Sequence, residues 1–117
     1  MQLRMSTRTL DGILVIDCNG RIVFGEESAS LRDNVKKLLG QTPKVVLNLR
    51  EVNYIDSGGL GTLVSLYTTA RSAGGALKLA SLTQRVDDLL QVTKLVTIFE
   101  VFDSEQAAVQ SFKSAAA

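Results

Sequence analysis

The 117-residue chain predicts a single α/β domain over 1–117, and three observations carry that prediction. Val45-Val46-Leu47-Asn48-Leu49 is an almost continuous β-branched and aliphatic run, the pattern of a central strand covered on both faces. Segments of this kind alternate with stretches of helical periodicity, the signature of a sheet built through helical crossovers. No repeat, long linker or low-complexity tract interrupts them. In order the segments read β-β-β-α-β-α-β-α-β-α. This predicts a mixed β-sheet of about five strands with about four helices, in which an antiparallel start feeds right-handed crossovers to parallel strands.

Leu3 to Leu10 alternates weakly, as an edge strand does, and Asp11-Gly12 is a hairpin turn signal. Ile13 to Cys18 follows as an apolar strand, Asn19-Gly20 reads as a second turn, and Arg21-Ile22-Val23-Phe24 as a short third strand ending at Gly25. From Glu26 to Leu39 the apolar positions Leu31, Val35, Leu38 and Leu39 share one face. Arg32, Asp33, Lys36 and Lys37 occupy the other, which makes an amphipathic helix. Acids in its first turn and lysines in its last suit the helix dipole, and Gly40 with Pro43 stops it.

The strand Val45 to Leu49 leads, after a short crossing, into a helix from about Ser57 to Ala73 that packs through Leu60, Leu63, Val64 and Tyr67. Gly74-Gly75 ends it. Leu77 to Leu82 is the next strand, and Thr83 caps a short helix with Val86, Leu89 and Leu90 inward. A last strand spans Thr97 to Phe102 with Ile98 near its centre. Asp103-x-x-Gln106 then resembles a capping box for a terminal helix carrying Ala108, Val109 and Phe112. Residues 114–117 read as a frayed end.

Composition narrows the chemistry. Thirteen basic and twelve acidic residues, interspersed, give a net charge of +1, so no electrostatic footprint for nucleic acid is present. One cysteine and no histidine cannot supply a soft-ligand metal site, and neither a metal nor a cofactor is expected. Cys18 lies in an apolar run and reads as an inert buried thiol, consistent with a reducing compartment. Met1-Gln2-Leu3-Arg4-Met5 lacks an apolar leader, and no run reaches the roughly 18 apolar residues of a membrane span. The expectation is a cytoplasmic protein without membrane insertion, monomeric or weakly dimeric.

Function in such sheets tends to sit beyond the carboxyl ends of the strands, which is where Ile55-Asp56-Ser57-Gly58-Gly59-Leu60-Gly61 falls. Ser57 can cap the helix, and the glycines allow a tight turn or close approach. A nucleophilic serine lacks its base, because the chain contains no histidine. Neither Gly-x-Ser-x-Gly nor a Ser-x-x-Lys beginning at Ser57 is present, so the chain does not read as an enzyme. Walker and Gly-x-Gly-x-x-Gly patterns are also missing, which argues against a nucleotide site.

What distinguishes the segment is that no charged side chain occurs between Asp56 and Arg71. The face bearing Gly58, Gly61, Thr62, Ser65, Thr69 and Ser72 ought to meet solvent. A small, uncharged surface of this kind permits close docking by a partner, the alternative being a second layer of the same protein.

On these residues the chain resembles the STAS domains, in particular the anti-sigma factor antagonists. The resemblance runs from Val45-Val46-Leu47-Asn48-Leu49 and Val52 through Ile55-Asp56-Ser57-Gly58-Gly59-Leu60-Gly61, Gly74-Gly75, the Leu77 to Leu82 strand and the Val86-x-x-Leu89-Leu90 helix. It implies a STAS-like fold and phosphorylation of Ser57 by a GHKL-type partner that is both serine kinase and anti-sigma factor. A serine phosphatase is a further implied partner. Two departures stand out. Many members follow the serine with a second Ser or Thr, where this chain has Gly58. Many carry Gly-Glu-Leu-Asp after the second strand, where this chain has Gly20-Arg21-Ile22-Val23-Phe24-Gly25, with Glu26 or Glu27 as the candidate replacement for the acid.

The resemblance therefore implies a partner-switching binding protein. Asp56, Ser57, Gly58, Gly61, Thr62, Ser65 and Thr69 would form the docking surface, and a phosphate on Ser57 would switch it off. Asp56 has a functional reading, in which it adds a neighbouring negative charge that sharpens the switch or orients the serine hydroxyl, and a structural one as a second capping group. The alternative function is a non-phosphorylated STAS scaffold or cytoplasmic subunit of a transport or sensory assembly.

Overall fold

The computed structural model describes residues 3–114. Its strands are β1 (Arg4–Leu10), β2 (Ile13–Ile22), β3 (Lys44–Ile55), β4 (Ala76–Ala80) and β5 (Glu100–Phe102), and they form one sheet in that spatial order. β1 pairs antiparallel with β2, and the remaining pairs are parallel. The parallel pairs are joined by α1 (Glu26–Leu39), α2 (Ser57–Ser72) and α3 (Gln84–Val92). Their apolar sides pack with Ile16, Leu47, Leu49 and Leu79 into the larger core. α4 (Glu105–Ser114) covers the other face, where Ala108, Val109 and Phe112 meet Ile13, Val15 and Val46. This mixed five-stranded sheet with four helices is the expected architecture. Ser114 closes α4, and the remainder of the expected frayed end, 115–117, lies outside the described residues.

β3 is the central strand and its Val45, Val46, Leu47 and Leu49 are fully buried, as a run covered on both faces requires. Asp11 and Gly12 take φ of 54° and 79°, both left-handed, which closes the β1–β2 hairpin. α1 has the expected bounds, and Leu31, Val35 and Leu39 are its buried stripe.

The expected turn at Asn19-Gly20 is not formed, so the expected second strand and the start of the third are one ten-residue strand. β3 continues through the expected crossing to Ile55 and offers ladder partners along its length, pairing Asn19 with Glu51, Gly20 with Val52 and Ile22 with Ile55. The extra residues are absorbed as register shifts at Asp17/Asn19 and Gly20/Arg21, where a glycine at φ 128° fits a bulge. This extension carries Val23 and Phe24 up to the start of α2.

Ile98 is not central to the last strand. Lys94 adopts φ 64°, a single 3-10 turn comes next at Leu95–Thr97, and Ile98 is exposed. Phe99 takes the buried place and meets the Tyr67 ring edge-on at 5.5 Å. The terminal helix starts later than Asp103 predicts: Ser104 Oγ accepts from Ala107 N at 3.0 Å and is the cap. Cys18 is buried, and desolvation pushes its thiol up to about 12, as expected of an inert residue.

Arg8 fastens α4 to the sheet. Its Nε donates to Asp17 Oδ2 at 2.7 Å and its Nη1 to Glu105 Oε2 at 3.1 Å, while Asn48 Nδ2 donates to Glu105 Oε1 at 3.0 Å. The bonds from Arg8 hold the Glu105 carboxyl below its usual range, against the opposing effect of burial. A depressed folded value stabilises above the unfolded value of 4.5 and is lost as pH falls through the folded one. Glu105→Gln should therefore cost about 1 kcal/mol at neutral pH, after screening of the half-exposed Arg8, and should flatten the fall in stability below about pH 4.5. Urea melts across pH check both.

Candidate functional site at the start of α2

β3 ends on buried Ile55, and Asp56 follows with extended φ −100° and ψ −176° as the N-cap of α2. Its Oδ1 accepts from Gly59 N at 2.8 Å. The same carboxylate accepts from Phe24 N at 3.1 and 3.0 Å, so one side chain ties the end of β2 to the first turn of α2. These N–H donors, Phe24 foremost and then Gly59, hold the Asp56 carboxyl below its ordinary value. The capping reading of Asp56 is therefore realised. Among the described residues no hydrogen bond joins it to the Ser57 hydroxyl.

Ser57, expected as the cap, is instead the first helical residue. Its side chain is exposed and has no hydrogen-bond partner among the described residues. The capping place falls one residue earlier, where the two oxygens of a carboxylate accept charge-assisted bonds from N–H groups of two separate segments. Removing the Asp56 carboxylate should cost about 1–3 kcal/mol, since a charge-assisted cap and the Phe24 link go together. Asp56→Asn, which keeps one acceptor, should cost less than Asp56→Ala in a urea melt. The depressed carboxyl implies that this contribution is held above the unfolded value of 3.8 and lost as pH falls through the folded one.

The glycines divide by role. A Cβ on Gly59 would lie 2.8 Å from the Ile22 carbonyl carbon and closer still to its oxygen, and one on Gly58 would lie 2.7 Å from Phe24 Cβ. Gly61 has nothing within 4 Å and is exposed. Gly59 therefore serves the packing of α2 on β2, while Gly61 leaves its surface open.

The uncharged face is partly covered by its own protein. Thr62 is only 8% exposed and donates to Gly58 O at 3.1 Å. Ser65 and Thr69 are half-buried, and Thr69 donates to Ser65 O at 2.9 Å. α1 flanks this side, and α2 lies between α1 and α3, so the buried stripe is wider than Leu60, Leu63, Val64 and Tyr67. Leu66 and Ala70 are fully buried, whereas Val64 and Tyr67 are half-buried.

Two clefts flank the helix start. Gly58, Gly61, Thr62 and Ser65 line one with Phe24, Ser28 and Arg32. The other, of about 500 Å³, lies between α2 and α3 and is lined by Tyr54, Ser57, Leu60, Arg85, Leu89 and Val92 among others. Glu26 and Glu27 line neither cleft; they border a separate depression with Leu3 and Ser30. Phe24, 82% exposed, stands at the rim in their stead, and Val92 is 78% exposed at the other. Sequence reasoning does not single out Phe24, Tyr54, Arg85 or Val92. For Phe24 the available signal is an aromatic beside Gly25, where the pattern ends a strand. For Val92 it is an apolar residue off the inward stripe of α3.

Among the described residues no group of three or more His, Cys, Asp or Glu is arranged to hold a metal. No helix is long and apolar enough to cross a membrane, again among the described residues.

The corner is thus a mixed α/β sheet whose central strand leads into a helix headed by an exposed serine and free of charged side chains before Arg71. The chain belongs to the STAS domain family, whose model matches residues 4–108. It is 32% identical over 80 residues to the anti-sigma-B factor antagonist of Bacillus subtilis (strain 168), covering 68% of this chain and 73% of that one. To the putative anti-sigma factor antagonist BtrV of Bordetella bronchiseptica it is 28% identical, with 97% of each chain covered. The crystal structure of a putative anti-sigma factor antagonist from Thermotoga maritima superposes with a TM-score of 0.85 at 25% identity, covering 92% of each chain.

Proposed function

We propose that this chain is an anti-sigma factor antagonist that works by partner switching. Unmodified, it docks on a GHKL-type anti-sigma factor through Ser57, Gly58, Gly61 and the half-buried Ser65 and Thr69, with Asp56 holding the corner in shape, and so frees the sigma factor. The same partner transfers the γ-phosphoryl of ATP to Ser57 Oγ. The β–γ phosphoanhydride bond breaks, the O–P bond forms, ADP leaves and the hydroxyl proton passes to a base on the kinase. The phosphate adds about −1.5 to −2 charges at the head of the uncharged face of α2, and the complex separates. A serine phosphatase resets the cycle in the cytoplasm. The chain is a binding protein in this scheme, with catalysis on its partners.

One observation carries the reading: the Ser57 side chain is exposed, makes no hydrogen bond among the described residues, and heads a helix that is uncharged up to Arg71. A group placed there alters the surface without withdrawing a structural contact. The relatives named anti-sigma factor antagonists support the same reading. The test is a pull-down from host lysate with ATP present, followed by mass spectrometry of the Ser57 peptide. The expected result is a GHKL-type kinase and one phosphate on Ser57. A Ser57 peptide that stays unmodified beside a captured kinase overturns the switch, and transporter components without a kinase would favour the scaffold or subunit role.

A further inference from the structure

The α2–α3 cleft holds three charged side chains, and two are already engaged. Asp56 accepts from Phe24 N and Gly59 N, and Asp88 accepts from Gln84 Nε2 at 2.7 Å. Arg85 is the third. Its guanidinium lies 5.7 Å from the centre of the Tyr54 ring and makes no hydrogen bond or ion pair among the described residues. Ser57 lines the same cleft. A phosphate on Ser57 would meet the Asp56 carboxylate as its neighbour in sequence, and Asp56 already occupies the Gly59 N–H at the helix start. The helix dipole alone is therefore a poor counter-charge for it, and a planar, five-donor cation across the cleft is a good one.

We propose that Arg85 receives the phosphate of Ser57, drawing the modified serine into the α2–α3 cleft over the Tyr54 ring. The inference rests on Ser57 being the modified residue, and it adds a cis contact that gives the phosphorylated form its own stable surface. Charge complementarity selects Arg85 over Arg32, which lines the other cleft and pairs with Asp33 at 3.7 Å.

The test installs phosphoserine at position 57 genetically, so that it does not depend on any kinase. The second phosphate ionisation, ordinarily near pH 6, is then followed by 31P resonance at low salt. Asp56, Asp88, Arg85 and the Tyr54 phenol are the groups facing it from β3, α2 and α3. An apparent pKa lower by about half a unit or more in the parent than in Arg85→Gln, with Arg85→Lys between them and Arg32→Gln like the parent, is the expected result. Titrations of parent and Arg85→Gln that coincide overturn the proposal, as does a shift produced by Arg32→Gln instead. Arg85 is exposed, so circular dichroism of the variants should match the parent. Absence of Ser57 phosphate in the host would count against the partner switch alone, leaving this contact to be decided by the resonance.

Discussion

Gly59→Ala is expected to destabilise the chain by about 3 kcal/mol or more, while Gly61→Arg leaves stability within about 1 kcal/mol of the parent and abolishes partner binding. The two residues are about half a turn apart on one helix, and their surroundings decide the contrast. A methyl on Gly59 would meet the Ile22 carbonyl, a backbone group in the β2–β3 ladder that cannot swing aside as a side chain does. Overpacking against backbone lies at the upper end of the usual range. It would also strain the Asp56 cap, whose acceptor bond goes to Gly59 N. Gly61 has open space, and replacing a mid-helix glycine gains up to about 1 kcal/mol of helix propensity, which offsets the loss of a smooth surface. A long cation there would stand where the proposed partner docks. Thermal melts and a binding titration on both variants separate the structural glycine from the docking one.

Ser57→Asp should weaken binding to the anti-sigma partner by about 10- to 100-fold, the equivalent of roughly 1.4–2.8 kcal/mol for an unpaired charge brought into a close interface. Its melting temperature should stay near that of the parent, because the serine side chain is exposed and carries no hydrogen bond of the fold among the described residues. Ser57→Ala should bind like the parent and persist in the complex when ATP is added. If Ser57→Asp unfolds the chain, the hydroxyl has a structural role and the switch loses its basis.

Much of this corner is legible in the sequence, and the limits have physical causes. β3 is readable because a strand buried on both faces must be apolar throughout, and α1 because its charges and its apolar stripe are cleanly separated. The corner's position after the central strand comes from the parallel topology. The bulged course of β2 is hidden, because Asn-Gly signals a turn locally and only the length of β3, a distant segment, decides otherwise. The identity of the cap is hidden for a related reason. Asp56 and Ser57 are both good capping residues, and the bond that favours Asp56 comes from Phe24, 32 residues earlier. Thr62 falls on the open face by periodicity alone, since periodicity on α2 cannot tell that α1 flanks it. Phe99 and Ile98 exchange roles because a left-handed residue at Lys94 shifts the phase of the residues after it.

In the proposed switch, one phosphate at Ser57 spoils a surface and spares the fold. Its most direct test is calorimetric titration of the captured anti-sigma factor into the unmodified chain and into the chain carrying phosphoserine at 57, with both melted in parallel. Melting temperatures within a few degrees of each other and an affinity lower by about 100-fold or more for the modified chain are the expected result. Equal affinities, or a modified chain that no longer folds, would contradict it.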